Sequence, residues 1–358
     1  MRKNIQKNKG FSLTELLVAV GIFIIVVTPL VAALIKNGKF TILNKEKLTT
    51  QAIASEEMEI IRNLPYDQVG TTTGWPHGNI PTSSTVSRSG LNFNLTVKVA
   101  FVDDPYDHTF PTDLYPYDYK KVEVEVASSK DSSSTSTLTT TISPSGPETV
   151  SNTGVLEVRV INASGHAVPD AEVEITNTGQ GILIIMQSDI EGKVFVPALP
   201  PADNYHVVVS KFGYNSDSTY PVTAENPNPA PKDQSVLLLK LTSITLSIDL
   251  LSSLTVSTVD ANGAPILDPA TLKIHGQKSI GKDNLNNPIY KYSNLQTTIS
   301  GMIDLGPLEW DGYVFELDDA SKSRYTIMEG DPAAPSDTAT VSLNPGGNTN
   351  FNIILAPI

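Results

Sequence analysis

An acidic side chain near the start of the chain lies where a charge is costly. Glu15 follows Gly10 by five residues and directly precedes an uncharged run from Leu16 to Ile35. At the edge of an apolar membrane segment, a carboxylate is unfavourable unless it is neutralised or paired. We therefore expect Glu15 either to bind a cationic group of a partner or to extend its carboxylate to the membrane surface.

The uncharged run has the length and composition of one transmembrane helix. Its only polar side chain is that of Thr28, and residues 16–35 span roughly 30 Å as a helix. Residues 1–10 contain four basic side chains and no acidic one, which orients the N-terminus to the cytoplasm and the rest of the chain outside it. The small residue Gly10 precedes the run, so we expect the helix to be retained. Pro29 predicts a kink or local melting.

Residues 9–19, KGFSLTELLVA, resemble the prepilin signature of type IV pilins and type II secretion pseudopilins. In that family, a membrane prepilin peptidase cleaves after the glycine and methylates the new N-terminal residue, and the apolar helix packs in a filament core. The resemblance implies cleavage between Gly10 and Phe11, N-methylation of Phe11, and a role for Glu15 in filament assembly. The new α-amine of Phe11 is a cation that Glu15 of a neighbouring subunit could neutralise.

Beyond the membrane segment, the helical pattern continues until Pro65. The apolar positions at helical spacing are Ile53, Ala54, Met58, Ile61 and Leu64. The helix is therefore predicted from about residue 12 to residue 64. Residues 91–102 and 119–128 then alternate between apolar and polar with period two, which predicts strands of a small antiparallel sheet on which the helix packs.

An acidic and aromatic connection joins these two predicted strands. It contains Asp103, Asp104 and Asp107 among tyrosines and one phenylalanine. Clustered carboxylates can bind Ca²⁺ through oxygen ligands, and some pseudopilins bind calcium in a comparable loop, but no calcium-loop motif fixes the ligands here. A calcium site, an adhesive tyrosine-rich loop and a solvated turn all remain open for this segment.

The C-terminal part of the chain contains an internal repeat. Residues 156–175 correspond to 254–274, and residues 192–209 correspond to 301–317. Paired landmarks of the two copies are Gly165 and Gly263, Asp170 and Asp268, and Tyr205 and Tyr313. Period-two strands separated by Gly, Pro, Asn and Asp turns predict a small β-sandwich for each copy, with the tyrosine on an inner strand.

The first copy resembles carboxypeptidase-regulatory-like (transthyretin-like) domains over roughly residues 154–242. The resemblance is carried by the segments VPDAEVEI, SDIEGKV and KFGY. Such domains are usually spacers or binding modules of extracellular proteins, and no carboxypeptidase catalytic domain accompanies this one. The second copy departs from the pattern at residues 275–294, which have the character of an inserted loop.

Composition and missing motifs exclude several classes of function. A net charge of -13 argues against nucleic acid as a partner. The chain has no cysteine, which excludes disulfides, thiolate catalysis and iron–sulfur clusters. The five histidines do not form zinc-binding motifs, and phosphate-binding and nucleophile-elbow motifs are missing. We therefore predict no enzymatic activity and no cofactor apart from the calcium considered above.

These observations predict an α+β protein: a long transmembrane and amphipathic helix packed on a small pilin-like antiparallel sheet, followed by two all-β sandwiches of the Ig-like or transthyretin-like type. In order, the predicted parts are a leader peptide (1–10), a long helix (11–64, with its membrane part 11–35), the sheet (65–135), a Ser/Thr-rich linker (136–153), the carboxypeptidase-regulatory-like sandwich (154–245) and the second sandwich (246–358).

The predicted function is a structural pilin-like subunit, minor or at the tip, of a type IV pilus or related filament. Its expected partners are the prepilin peptidase, other pilin subunits and, before assembly, the cytoplasmic membrane; any surface ligand is unknown. The expected location is a single-pass membrane protein that reaches the cell surface in the filament. Two alternatives remain, an anchored extracellular protein that binds a carbohydrate or peptide without assembling, and a type II secretion pseudopilin.

Overall fold

A computed structural model describes residues 13–104, 106, 108, 112, 117–130, 134–144, 152–329 and 334–358. The chain divides into two compact units. The first unit comprises residues up to 65 with residues 80–98 and 122–140, and the second comprises residues 66–79, 99–121 and 141–358. The fold class is the predicted one, a long N-terminal helix followed by many strands in several sheets.

Helix α1 is one continuous segment of 50 residues, Leu13–Arg62. It stops shortly before Pro65, because a proline ring disfavours a helical conformation of the residue that precedes it. Four of the five predicted apolar positions lie in its second half and are buried: Ile53, Ala54, Met58 and Ile61. The fifth, Leu64, lies just beyond the end of the helix and is half-buried. The opposite face carries exposed acids, among them Glu56 and Glu59.

The first unit also contains most of a four-stranded sheet. Its strands are β1 (Ser83–Arg88), β2 (Leu91–Val102), β3 (Tyr119–Ser128) and β4 (Thr135–Ile142), in that spatial order. Strands β2 and β3 have the predicted bounds. Alternate residues of both are buried, namely Phe93, Leu95, Val97, Val122, Val124 and Val126. Residues 136–142 of β4 lie in the stretch predicted to be a linker. They form a strand because threonine favours an extended backbone.

Direct contacts join α1 to this sheet. The hydroxyls of Thr50 and Ser136 are 2.7 Å apart in a buried hydrogen bond to β4. Nearer the end of the helix, Arg62 donates to the Thr140 hydroxyl at 3.1 Å. These bonds satisfy polar groups at the helix–sheet boundary while the apolar side chains form the core.

The first sandwich begins at Gly154. Its strands are β5 (Gly154–Ile161), β6 (Glu172–Asn177), β7 (Ile182–Gln187), β8 (Lys193–Leu199), β9 (Ala202–Ser210), β10 (Asp217–Ser218), β11 (Asn228–Pro229), β12 (Gln234–Val236) and β13 (Leu241–Ser247). One sheet has the order β10-β9-β6-β7, with β12 also paired to β9, and the other has the order β13-β5-β8. Their inward side chains share one hydrophobic core. Strand β13 is parallel to β5, which the sequence pattern does not reveal.

The second sandwich has the same plan. Its elements are β14 (Ser252–Val259), β15 (Thr271–Gly276), β16 (Ser279–Lys282), β17 (Pro288–Tyr290), β18 (Ser293–Thr297), β19 (Met302–Leu308), β20 (Gly312–Leu317), α2 (Asp319–Lys322), β21 (Tyr325–Glu329), β22 (Ala334–Ser336), β23 (Thr338–Ser342) and β24 (Asn348–Pro357). Its sheets have the orders β19-β14-β24-β21-β22 and β18-β15-β20-β23 around a second core. Strand β24 is parallel to β14, as β13 is to β5. Strands β16 and β17 form a separate sheet with β11.

Equivalent hydrogen bonds show that the two sandwiches repeat one framework. The hydroxyl of Tyr205 donates to the Pro200 carbonyl at 2.7 Å, and that of Tyr313 donates to the Glu309 carbonyl at 2.9 Å. Both tyrosines are buried, as predicted. Two further backbone bonds recur. The Val160 N–H donates to the Gly192 carbonyl as the Thr258 N–H does to that of Gly301, and the Ser188 N–H donates to the Ala171 carbonyl as the Thr298 N–H does to that of Ala270. The internal repeat is therefore confirmed in the fold.

Candidate functional site

The apolar half of α1 is exposed along its length. Leu16, Phe23 and Ile25 keep 58%, 66% and 73% of their surface accessible. Among the described residues, this is the one helix long and apolar enough to cross a membrane, and none of its most apolar stretch is buried. So large an apolar surface is unfavourable in water and requires lipid or other helices around it.

Of the predicted processing and assembly residues, only Glu15 lies in this helix. Gly10 and Phe11 lie outside the described residues. Glu15 belongs to α1, on the N-terminal side of the apolar run, and only its position in the helix is described. The cleavage site, the methylated N-terminus and the assembly role of Glu15 therefore stay predictions.

Helix α1 continues through Pro29 without a break in its helical assignment. Local melting at this proline is thus not observed. Pro29 has no N–H to offer the carbonyl of Ile25. One residue before the proline, the Thr28 hydroxyl donates to the Ile24 carbonyl at 2.7 Å. Such a bond satisfies the hydroxyl in an apolar environment that offers no water.

The described ends of the acidic connection use their carboxylates within the chain. Oδ1 of Asp104 accepts a hydrogen bond from the Tyr106 backbone at 3.0 Å, and the Asp118 carboxylate accepts one from the Asp104 backbone. Asp103 is described, whereas Asp107 lies outside the described residues. Among the residues that are described, no group of three or more acidic or histidine side chains could hold a metal ion. The calcium site at Asp103, Asp104 and Asp107 remains a prediction.

Close to this connection, in the second unit, a lysine is buried among aromatic rings. Nζ of Lys120 donates to the carbonyls of Tyr66 and Val69 at 2.8 and 2.6 Å, and it lies 4.4 and 5.4 Å from the ring centroids of Tyr66 and Phe101. Burial lowers the pKa of Lys120 to about 8. Burial also raises the pKa of Tyr66 to about 12, aided by Tyr117 and an adjacent aspartate. The ammonium holds residues 66–69 against β3.

The segment that Lys120 holds continues to a tryptophan that docks on the first sandwich. Trp75 packs against the apolar core of that sandwich, and its indole N–H donates to the Ala198 carbonyl at 3.1 Å. His77 follows, with Nε2 3.3 Å from the Gln180 carbonyl. The loop of residues 66–79 is thereby fixed to the first sandwich by an apolar ring and two polar contacts.

Two of these structural residues could have been recognised in the sequence. Lys120 has the same parity as Val122, Val124 and Val126, so the alternation of β3 places it on the buried face. Trp75 is one of only two tryptophans and lies in a glycine-rich, polar loop, where a large ring needs a docking place. The partners of both residues are distant in sequence, so the composition of the loop could not identify them.

Two family comparisons match separate parts of the chain. Residues 5–31 match the prokaryotic N-terminal methylation motif. Residues 155–236 match the carboxypeptidase regulatory-like domain. Both resemblances seen in the sequence are thereby confirmed. Among curated proteins, no sequence matches the chain.

Solved structures show only distant similarity. The Bacillus anthracis TIE protein is 12% identical, with 78% of this chain and 57% of that chain covered and a TM-score of 0.24. A streptococcal ancillary pilin is 12% identical, with coverage of 65% and 75% and a TM-score of 0.25. GBS52, the minor pilin of Streptococcus agalactiae, is 12% identical, with coverage of 57% and 96% and a TM-score of 0.27. The chain thus spans little more than half of the TIE protein, and scores this low carry no functional argument.

Proposed function

We propose that this chain is a pilin-like surface subunit of a type IV pilus or a related filament. In this proposal, a prepilin peptidase cleaves after Gly10 and methylates Phe11, and the apolar half of α1 then moves from the membrane into the filament core. The observation that carries the proposal is the coincidence of the methylation motif with an exposed apolar helix. A helix that must be covered suits a protein that first occupies lipid and then packs against copies of itself.

The charges around the helix support a defined orientation. Residues 1–10 are basic, which favours a cytoplasmic N-terminus and an extracytoplasmic position for the sheet and the sandwiches. Once Phe11 is freed, its α-amine and the Glu15 carboxylate of a neighbouring subunit would neutralise each other. Such a pair removes two unfavourable charges from the apolar interior and sets the register between helices.

The size of the C-terminal region favours a minor or tip position. Two sandwiches, from Gly154 to the end of β24, follow the sheet on which α1 packs. Because neighbouring helices in a filament core lie close together, each subunit has little lateral room for added domains. Immunogold labelling of sheared filaments with an antibody against the sandwiches tests this point. Label along the whole shaft would identify a major subunit instead.

Processing is tested by the mass of the native N-terminal peptide. The full chain is produced in cells with and without an active prepilin peptidase, and the peptide is sequenced by mass spectrometry. We expect it to begin with N-methylated Phe11 only where the peptidase is active. A chain that retains residues 1–10 in both hosts would favour a membrane-anchored binding protein that does not assemble.

Assembly is tested by removing the charge at Glu15. Glu15→Val should leave membrane insertion and cleavage intact but strongly reduce recovery of the chain in sheared filaments. Glu59→Val is a matched control, because Glu59 is exposed on the same helix and only pairs with Arg62 at 2.7 Å. Equal recovery of the two variants would contradict the proposed pairing of Glu15 with Phe11.

A further inference from the structure

The stretch that most distinguishes the second sandwich from the first forms a hairpin of β16 and β17. This hairpin, residues 279–290, is called the clasp here. Strand β11 of the first sandwich pairs antiparallel with β16 of the clasp, with Asn228 opposite Lys282 and Pro229 opposite Gly281. The clasp and β11 therefore form a separate three-stranded sheet that contains strands from both sandwiches, joined by the same backbone pairing by which extended segments bind to exposed strands.

One carbonyl of the clasp collects two donors from the first sandwich. The backbone oxygen of Ile280 accepts hydrogen bonds from the Ala230 N–H and from the side-chain amide of Asn226, both at 3.0 Å. Asn226 is buried. These bonds are specific in direction, and losing them would leave polar groups unsatisfied in a buried place.

A lysine next to the clasp binds carboxylates from both sandwiches. Nζ of Lys291 is 2.9 Å from Oδ1 of Asp217 in the first sandwich and 3.0 Å from Oε2 of Glu309 in the second. All three side chains are largely shielded, with 21%, 19% and 15% of their surface accessible. Burial disfavours the ammonium, but the two carboxylates together raise the pKa of Lys291, so the ion pairs persist at neutral pH.

The covalent connection between the sandwiches is also fixed on both sides. It consists of residues 248–251, between the end of β13 and the start of β14. The Leu251 N–H donates to the Gly213 carbonyl at 3.0 Å, and the Gly346 N–H donates to the Leu250 carbonyl at 3.2 Å. A connection so short, bonded to both neighbours, leaves little freedom for a hinge.

We infer that the clasp locks the two sandwiches into one rigid body. Tandem domains with small polar interfaces ordinarily move relative to each other. Here, a strand pairing, a shared ion pair and a bonded connection act at three separate places. A force applied to one sandwich would then be transmitted to the other without rotation of one domain against the other.

The residue at the point of contact explains how the clasp can be opened. Gly281 has a φ of +151°, and a Cβ there would lie 2.6 Å from the Asn228 carbonyl oxygen. Gly281→Ala is therefore a wedge between the clasp and β11. Gly306→Ala is the matched control in the same sandwich, since Gly306 also has a positive φ, +62°, but faces open space.

The test measures the distance between the sandwiches in the full chain, solubilised in detergent micelles. The chain has no cysteine of its own, so spin labels can be attached at Ser164→Cys and Asn262→Cys, equivalent exposed turn positions of the two copies. Pulsed electron resonance then gives the distribution of distances. We expect one narrow distribution in the parent and in Gly306→Ala, and an about twofold broader one in Gly281→Ala.

A second variant removes the ion pairs without touching the backbone. Lys291→Gln should also broaden the distribution, whereas Lys322→Gln, an exposed lysine of the same sandwich, should not. Circular dichroism confirms that each variant is folded. A broad distribution in the parent, or a narrow one in folded Gly281→Ala and Lys291→Gln, would overturn the inference. Neither result bears on processing at Gly10, so the proposed function is tested separately.

Discussion

The first and second sandwiches share a hydrogen-bonded framework but differ where each meets the rest of the second unit. In both, the last strand runs parallel to the first, and a buried tyrosine hydroxyl binds a carbonyl a few residues earlier in the chain. The first receives Trp75 from the loop of residues 66–79. The second instead extends the clasp. The comparison shows that the two copies share their strand pairing and core hydrogen bonds, while the contacts made by Trp75 and by the clasp are specific to one copy each.

The largest difference between the cores is at equivalent positions of β9 and β20. Phe315 follows Tyr313 by two residues, as Val207 follows Tyr205, and both are fully buried. Phe315→Ala should lower the free energy of unfolding of the second sandwich by about 3–5 kcal/mol through the cavity it leaves. Val207→Ala should cost the first sandwich only about 2 kcal/mol. Urea unfolding is followed by the fluorescence of Trp310 in a Trp75→Phe background for the second sandwich, and by the fluorescence of Trp75 in a Trp310→Phe background for the first. Equal losses in the two variants would contradict this difference in packing.

The attachment of Trp75 should matter to the first sandwich alone. Trp75→Ala removes a partly buried ring and its bond to Ala198, and should cost about 2 kcal/mol. Hydrogen exchange measures the effect, as lost protection in β8 and unchanged protection in β20. Trp75→Phe, which keeps an aromatic ring but removes the N–H donor, should cost about half as much. Uniform loss of protection in both sandwiches would mean that the loop does not act locally.

Alkaline pH should destabilise each sandwich through its buried tyrosine, Tyr205 in the first and Tyr313 in the second. Burial raises the pKa of Tyr205, and burial with the neighbouring Asp311 and Glu309 raises the pKa of Tyr313. An unfolded tyrosine ionises near pH 10, so each contribution is fully present below about pH 10 and falls by about 1.4 kcal/mol per pH unit above it. Unfolding measured at several alkaline pH values gives this slope.

Replacing either tyrosine separates the two contributions. Tyr205→Phe should remove the contribution of one ionising group to the alkaline slope of unfolding free energy against pH for the first sandwich. Tyr313→Phe should do the same for the second. Each variant also loses one hydrogen bond, at a cost of about 1 kcal/mol that does not vary with pH. A slope unchanged by both substitutions would show that these tyrosines already ionise in the folded chain.

Local patterns in the sequence predicted the elements well, and pairings between distant segments poorly. Alternation placed β2 and β3 at their observed bounds, and helical spacing identified the buried face of α1. The residues of the clasp were recognised as an insertion. Their pairing with Asn228 and Pro229 was not predicted, because it joins two short segments of different domains that have no periodic apolar pattern. For the candidate site, the motif around Gly10 was recognised, whereas Trp75 and Lys120 depend on contacts between distant parts of the chain.

The smallest predicted effect concerns equivalent turns that use different acceptors. Oδ1 of Asn162 accepts from the Ser164 and His166 backbones at 3.0 and 2.9 Å, and Oδ1 of Asp260 accepts from the Asn262 and Ala264 backbones at 2.8 and 2.9 Å. A charged acceptor normally makes the stronger bond. On that ground alone, an aspartate would suit both turns.

The connection between the sandwiches explains the asparagine. The Asp249 carboxylate accepts from the Ala163 N–H at 3.0 Å, next to Asn162, and a second carboxylate there would be repelled. In the second copy, the position equivalent to Asp249 is Ala356, by the matching registers of β13 and β24. Asn162→Asp should therefore destabilise the first sandwich by about 0.5 kcal/mol, and adding Asp249→Asn should reverse its sign. Urea midpoints of the single and double variants measure this coupling. A stabilising Asn162→Asp in the parent would show that the bond strength, rather than the neighbouring charge, decides the residue at this turn.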